Sequence, residues 1–93
     1  MIDLEIVIPL YNSKGILPKL INRLSEWKNA SDFSFNVIFV EDGDVISSKN
    51  ILAKAIPSFS YRFVRLSKNY GQHTATAIGL SYCEAPLIAT IDD

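Results

Sequence analysis

Four short runs of apolar, largely β-branched or aromatic residues punctuate the chain, and three stretches with helical spacing separate them. Leu4-Glu5-Ile6-Val7-Ile8 reads as a first strand closed by Pro9, which cannot donate to a ladder. Phe35 to Val40 reads as a second, ending at Glu41-Asp42-Gly43, and Tyr61 to Leu66 as a third, with Arg62 and Arg65 interrupting its apolarity as an edge position allows. Leu87 to Ile91 reads as the fourth. Near-continuous apolar runs of this kind predict strands covered on both faces, hence a parallel sheet.

Between the first two runs, Ile16, Leu17, Leu20, Ile21, Leu24 and Trp27 recur at helical spacing, leaving Lys19, Arg23, Glu26 and Lys28 to solvent. Pro18 suits the first turn of that helix, where its missing N–H costs little. Asp44 is the expected N-cap of a second helix carrying Ile46, Ile51, Leu52 and Ala55, ended by Pro57. A third helix, near His73 to Cys83, is rich in small residues and is expected to stop at Pro86. Small side chains let a helix lie close to a sheet or a ligand.

The predicted order β-α-β-α-β-α-β defines a Rossmann-like, doubly wound α/β fold. The expected strand order is 3-2-1-4, with the switch point between the first and fourth strands. Ligands in such sheets bind beyond the carboxyl ends of the strands. Three polar segments converge there: Pro9 to Ser13, Glu41 to Asp44, and Asp92-Asp93.

Bulk properties narrow the function classes. The 93 residues make one domain at most. A chain this short buries only about 60–65% of its unfolded surface on folding. Nine basic and ten acidic residues give a net charge of −1, without the basic patch that nucleic-acid binding requires. Cys83 is the single cysteine, so no internal disulfide forms; a reduced, cytoplasmic compartment fits. No apolar stretch approaches the about 20 residues of a membrane span.

Each chemical candidate has an ordinary reading beside the functional one. Asp42, after the second strand, can accept a charge-strengthened hydrogen bond from a ribose hydroxyl or a base N–H; equally, Asp-Gly is a common turn dipeptide. Pro9-Leu10-Tyr11-Asn12-Ser13-Lys14-Gly15 lacks the G-x-G-x-x-G of a dinucleotide site, and its one glycine does not make that phosphate turn. Asp92 and Asp93 can offer oxygen ligands to Mg²⁺ or Mn²⁺, or simply be solvated acids. Tyr11 can stack on a base and Asn12 can donate to a ligand, or both can serve the turn. Lys68 and the backbone N–H groups leading into the third helix can face an anion. His73 is the only histidine, which rules out a His-rich metal site. Cys83 has no histidine nearby in sequence, and Trp27 lies on the core stripe.

With these residues in place, the chain resembles the N-terminal half of a family 2 glycosyltransferase of GT-A fold. Ile6-Val7-Ile8-Pro9-Leu10-Tyr11-Asn12 is similar to the family's opening strand and I-P-x-Y-N turn. Val40-Glu41-Asp42-Gly43 is similar to its V-D-D-G segment, with Glu41 in place of the first Asp. Arg65 to His73 is similar to the R-N-x-G-Q-H segment of the branch that transfers sugars to polyprenyl phosphates. Asp44 departs from the Ser that usually follows Gly43, which bears on donor preference.

The resemblance implies a UDP- or GDP-linked sugar donor, a polyprenyl-phosphate or glycan acceptor, and inverting transfer. Pro9, Tyr11, Asn12, Asp42, Gly43, Lys68, Asn69, Gly71, Gln72, Asp92 and Asp93 would form the nucleotide-sugar site. Asp42 would take the base-binding role, and Asp92 would open the metal-binding D-x-D motif, for Mg²⁺ or Mn²⁺. Residues 1–93 would then be the nucleotide-sugar-binding part of a longer enzyme at the cytoplasmic face of a membrane. By itself that part is expected to be inactive and to self-associate through an open sheet edge. A non-enzymatic α/β nucleotide-binding or regulatory module is the alternative. In its response-regulator-like form it would need an acid cluster after the first strand and a phosphoacceptor Asp nearer the middle of the sheet, and Pro9-Leu10-Tyr11-Asn12 offers no such cluster.

Overall fold

In the computed structural model the described residues are 2–11, 15–30, 32, 34–43, 48–55 and 57–91. The strands are β1 (Leu4–Leu10), β2 (Phe35–Asp42), β3 (Ser60–Leu66) and β4 (Leu87–Thr90). The helices between them are α1 (Leu17–Ala30), α2 (Lys49–Ala55) and α3 (Gln72–Ser81). All pairings are parallel and the sheet order is β3-β2-β1-β4. The fold class and the strand order are those expected from the sequence pattern.

Side chains alternate across each strand, so the two faces of the sheet form separate cores. Ile6, Ile8 and Leu10 of β1 and Phe35, Val37 and Phe39 of β2 pack under α1 and α2, against Leu17, Ile21, Leu24 and Leu52. Val7, Ile38 and Val40 face the other way, against Ala75 of α3. That second layer is thin because α3 lies almost on the sheet. A Cβ placed on Gly79 would stand 2.4 Å from Val7 Cγ1 and 3.0 Å from Val40 Cγ2. The small residues of the third helix therefore serve helix–sheet approach at positions 75 and 79.

Coverage on both faces, expected of all four strands, holds for β1 and β2 but not for β3, which has no buried residue, or β4, which is exposed throughout. Ile16 of the expected helical stripe precedes α1 and is 47% exposed. Four further details depart from the sequence pattern. The first strand does not end at Pro9 but runs through it to Leu10, with Pro9 opposite Val40. The Val7 carbonyl accepts the Ile91 N–H, so odd-numbered residues of β1 turn their backbone groups toward β4. β4 pairs only as far as Val7, so the N–H that Pro9 lacks faces a side where the ladder has already stopped. The second strand continues two residues beyond Val40, because Glu41 and Asp42 still pair with Arg65 and Leu66 of β3.

The third helix ends at Ser81, well before Pro86. Tyr82 and Cys83 donate to the Gly79 and Leu80 carbonyls, tightening the last turn. The next two N–H groups, of Glu84 and Ala85, are taken by the Glu5 carboxylate at 2.6 and 2.8 Å, which draws the chain off the helix axis. Trp27 is the fourth departure. It is 40% exposed, with one face stacked on Phe35 at a centroid distance of 4.7 Å. Asp44 and Ile46, expected to cap and pack α2, lie outside the described residues.

Candidate nucleotide site at the carboxyl end of the sheet

The carboxyl ends of β1 and β2 open onto a cleft of about 220 Å³, lined by Pro9, Leu10, Tyr11, Asp42, Asn69, Gly71 and Gln72. Two chain segments build its walls. On one side β1 runs out through Pro9 and Leu10 to Tyr11, which is 55% exposed. Opposite it, the connection from β3 brings Asn69 and Gly71 to the start of α3 at Gln72. Asp42, the last residue of β2, lies between them and is 2% exposed.

The Asp42 carboxylate is tied to the second wall. The Tyr70 N–H donates to Oδ1 at 2.7 Å and the Gly71 N–H to Oδ2 at 2.9 Å. An ionised carboxylate offers about four lone-pair positions, so each oxygen retains capacity for one more donor. The side chain of Asn69 helps as well, accepting from the Gly71 N–H at 2.9 Å. Gly71 itself adopts φ 96°, in the region that favours glycine.

Next to Asp42, Gly43 has φ 69° and no room for a side chain. A Cβ there would lie 2.2 Å from the Asn69 nitrogen and 2.3 Å from the Lys68 carbonyl carbon. Gly43 does not line the cleft; it lets the 68–69 backbone come close. Lys68 is likewise off the lining, with its ammonium 5.5 Å from the Tyr70 ring centroid in a cation–π arrangement.

Glu41 points to the opposite face of the sheet from Asp42, as strand alternation requires. It is fully buried, accepts the Ser48 N–H at 2.5 Å through Oε2, and pairs with Arg65 Nε at 3.1 Å through Oε1. One carboxylate therefore anchors the entry to α2 while its neighbour anchors the entry to α3.

Six of the sequence-derived site residues meet on the cleft: Pro9, Tyr11, Asp42, Asn69, Gly71 and Gln72. Asn12, Asp92 and Asp93 lie outside the described residues. Among the described residues no group of three His, Cys, Asp or Glu side chains is placed to hold a metal ion. Near the cleft, the Asp42 oxygens already serve backbone amides, and Glu41 faces away with its charge balanced by Arg65. The described residues by themselves do not fit a divalent cation.

The sequence pattern did not single out Leu10, which is fully buried at the cleft floor, nor the anchoring roles of Glu41 and Arg65. Leu10 had a signal in its place between two candidate residues. The Glu41–Arg65 contact had none, since the register of β2 on β3 must be known first.

A second depression, of about 410 Å³, lies at the opposite end of the sheet, beside Glu5, Asn36, Arg62, Tyr82 and Ala85. Burial pushes the Glu5 carboxyl up. The N–H groups of Glu84 and Ala85, then Asn36 and the Arg62 charge, outweigh this and hold it below its ordinary value. Burial and the nearby Glu5 charge push the Cys83 thiol up, leaving it a poor nucleophile. The depression is larger than the cleft but sits where the strands begin, away from the end where parallel sheets bind ligands.

The fold and the placement of the cleft define a doubly wound, Rossmann-like α/β domain with its crevice at the carboxyl ends of the strands. The sequence profile of Glycosyl transferase family 2 matches residues 5–93, and the chain belongs to that family. Among relatives, the undecaprenyl-phosphate 4-deoxy-4-formamido-L-arabinose transferase of Pseudomonas syringae pv. syringae is 36% identical over 90 residues, covering 95% of this chain and 27% of that protein. The enzyme of the same name from Salmonella choleraesuis is 32% identical over 90 residues, covering 95% of this chain and 28% of its own. The chain thus spans about a quarter of the length of these relatives.

Among solved structures, residues 1–349 of S. aureus TarS superpose with a TM-score of 0.84 at 22% identity, over 98% of this chain and 27% of that one. The same protein in complex with UDP-GlcNAc gives a TM-score of 0.84, over 98% of this chain and 26% of that one. This likeness establishes the GT-A type of fold.

Proposed function

We propose that residues 1–93 are the donor-binding part of an inverting glycosyltransferase that moves a sugar from a UDP- or GDP-linked donor to a polyprenyl phosphate. The observation that carries this is the cleft at the carboxyl ends of β1 and β2, with a buried carboxylate at its base and an exposed aromatic ring at its rim. Family membership and the names of the relatives, which act on undecaprenyl phosphate, support the same assignment.

In this proposal Tyr11 stacks on the base and the free lone pairs of Asp42 accept a base N–H. Asn12 is proposed to donate to the nucleotide. The diphosphate lies toward Gln72 and Lys68, where the N-terminus of α3 favours negative charge. Asp92 and Asp93 follow Ile91, whose N–H bonds to Val7 of the central strand. They are proposed to face the diphosphate, with Asp92 offering an oxygen ligand to Mg²⁺ or Mn²⁺. A lipid phosphate acceptor is already anionic, so transfer to it does not require a protein base. Among the described residues no helix is long and apolar enough to cross a membrane. Attachment at the cytoplasmic face of a membrane is proposed for the whole enzyme.

Calorimetric titration of the chain with UDP and with GDP tests the site. Saturable binding of one of them, weakened about tenfold or more in Asp42→Ala by loss of a charge-assisted bond, is expected. Absence of binding to both at millimolar concentration would contradict the proposal.

A further inference from the structure

Three consecutive residues at and just past the end of β2 hold the end of β3 and the connection that follows it to α3. Glu41 pairs with Arg65, its register partner in β3. Gly43, by lacking a Cβ, admits the backbone of Lys68 and Asn69. Asp42 takes the N–H groups of Tyr70 and Gly71, one on each oxygen. Residues 67–71 belong to no helix or strand, and residues 67–72 are all exposed, so they have little apolar burial of their own to hold them. Yet Asn69, Gly71 and Gln72 form one wall of the cleft.

We propose that Asp42 is a positioning residue for its own pocket: it acts on a nucleotide ligand by holding the Tyr70–Gly71 backbone in place, in addition to any contact it makes itself. Glu41 and Gly43 complete the staple from either side. Without the Asp42 carboxylate the Tyr70 N–H turns to water, the Gly71 N–H keeps only the Asn69 side-chain oxygen of its own loop, and the wall loses its tie to the sheet. Ligand groups that never touch Asp42 then meet a wall that must be ordered on binding, which weakens affinity. The inference about the wall stands on the geometry of the free protein; its consequence for affinity rests on the nucleotide-binding assignment above.

The test is residue-resolved amide hydrogen exchange on the ligand-free chain, wild type and Asp42→Ala. Alanine removes both acceptor oxygens; the Gly71 N–H still has Asn69 Oδ1, so Tyr70 is the deciding amide. The Tyr70 amide is expected to exchange about tenfold faster or more, while the amides of Val7 and Ile38 in the sheet keep their protection. A wild-type exchange rate at Tyr70 in a folded Asp42→Ala protein would overturn the proposal. Should that variant not fold, the wild type decides: solvent-like exchange at Tyr70 overturns it, and protection there sustains it.

UDP titration of Gly43→Ala adds a readout that keeps the Asp42 carboxylate. The new methyl displaces the 68–69 backbone, and about tenfold weaker binding is expected with the sheet amides still protected. Unchanged UDP affinity in that variant would refute the link between staple and pocket. A wild-type chain with protected Tyr70 and Gly71 amides that binds neither UDP nor GDP would instead refute the nucleotide assignment and leave the staple standing.

Discussion

The two ends of the sheet carry the same device put to different use. At the amino end, Glu5 of β1 receives the N–H groups of Glu84 and Ala85, both on Oε1. At the carboxyl end, Asp42 of β2 receives those of Tyr70 and Gly71, one per oxygen. Each carboxylate reels in one end of α3, so the helix is held at its entry and its exit by two neighbouring strands. The difference is in what remains. Glu5 also faces Asn36 and Arg62, which complete its satisfaction. Asp42 keeps a lone pair on each oxygen and opens onto the cleft. The same backbone clamp is structural at one end, and at the other it leaves a charged acceptor in a largely apolar pocket.

The sharpest way to break this comparison is to remove each carboxylate in turn. Glu5→Ala leaves two N–H groups and Asn36 without their acceptor and is expected to cost about 2–3 kcal/mol of stability, read by denaturant unfolding. Asp42→Ala should cost less, about 1–2 kcal/mol, because no side-chain amide loses its acceptor and the Gly71 N–H keeps Asn69 Oδ1. Only Asp42→Ala should weaken nucleotide binding. Equal loss of binding in a folded Glu5→Ala protein would erase the distinction.

Acid titration sharpens it next. The Glu5 carboxyl is held below its ordinary value of 4.5 in the folded chain. Its contribution is therefore fully present above the unfolded value and is lost as pH falls through the lower folded value. Glu5→Gln should be less stable at neutral pH and should lose less further stability on acidification below pH 4.5 than wild type. Parallel acid curves for the two proteins would contradict the assignment.

Arg65→Gln is expected to have a smaller effect. It removes the partner of the buried Glu41 while leaving the Ser48 bond, and the Arg65 side chain is 48% exposed. A loss of about 1 kcal/mol is expected. The smallest effect concerns assembly. All four residues of β4 are exposed, with Leu87 at 57% and Ile88 at 47%. Such an edge templates pairing with other chains. Self-association at high concentration, reduced by Ile88→Lys, should appear in sedimentation; a strictly monomeric wild type would contradict it.

What could be read from the sequence follows from range. Apolar runs such as Val37-Ile38-Phe39-Val40 report burial on both faces through local pattern, so the sheet and its order were legible. The cleft residues were legible because Pro9, Tyr11, Asp42 and the 69–72 segment all fall at strand or helix ends, where an α/β topology converges. Element ends were less so. The passage of β1 through Pro9 depends on where β4 stops pairing, and the end of α3 depends on Glu5, 79 residues from Glu84. In the same way, Asp42 finds its partners 28 and 29 residues away, beyond the reach of any local motif.

The central claim is that ligand recognition belongs to the Asp42 end of the sheet and structural anchoring to the Glu5 end. Amide NMR spectra of the chain recorded during a UDP titration test it most directly. Saturable shifts are expected at Tyr11, Asn69, Gly71 and Gln72, with Glu84 and Ala85 unmoved. Shifts confined to Glu84, Ala85 and Arg62, or none anywhere at millimolar UDP and GDP, would contradict it.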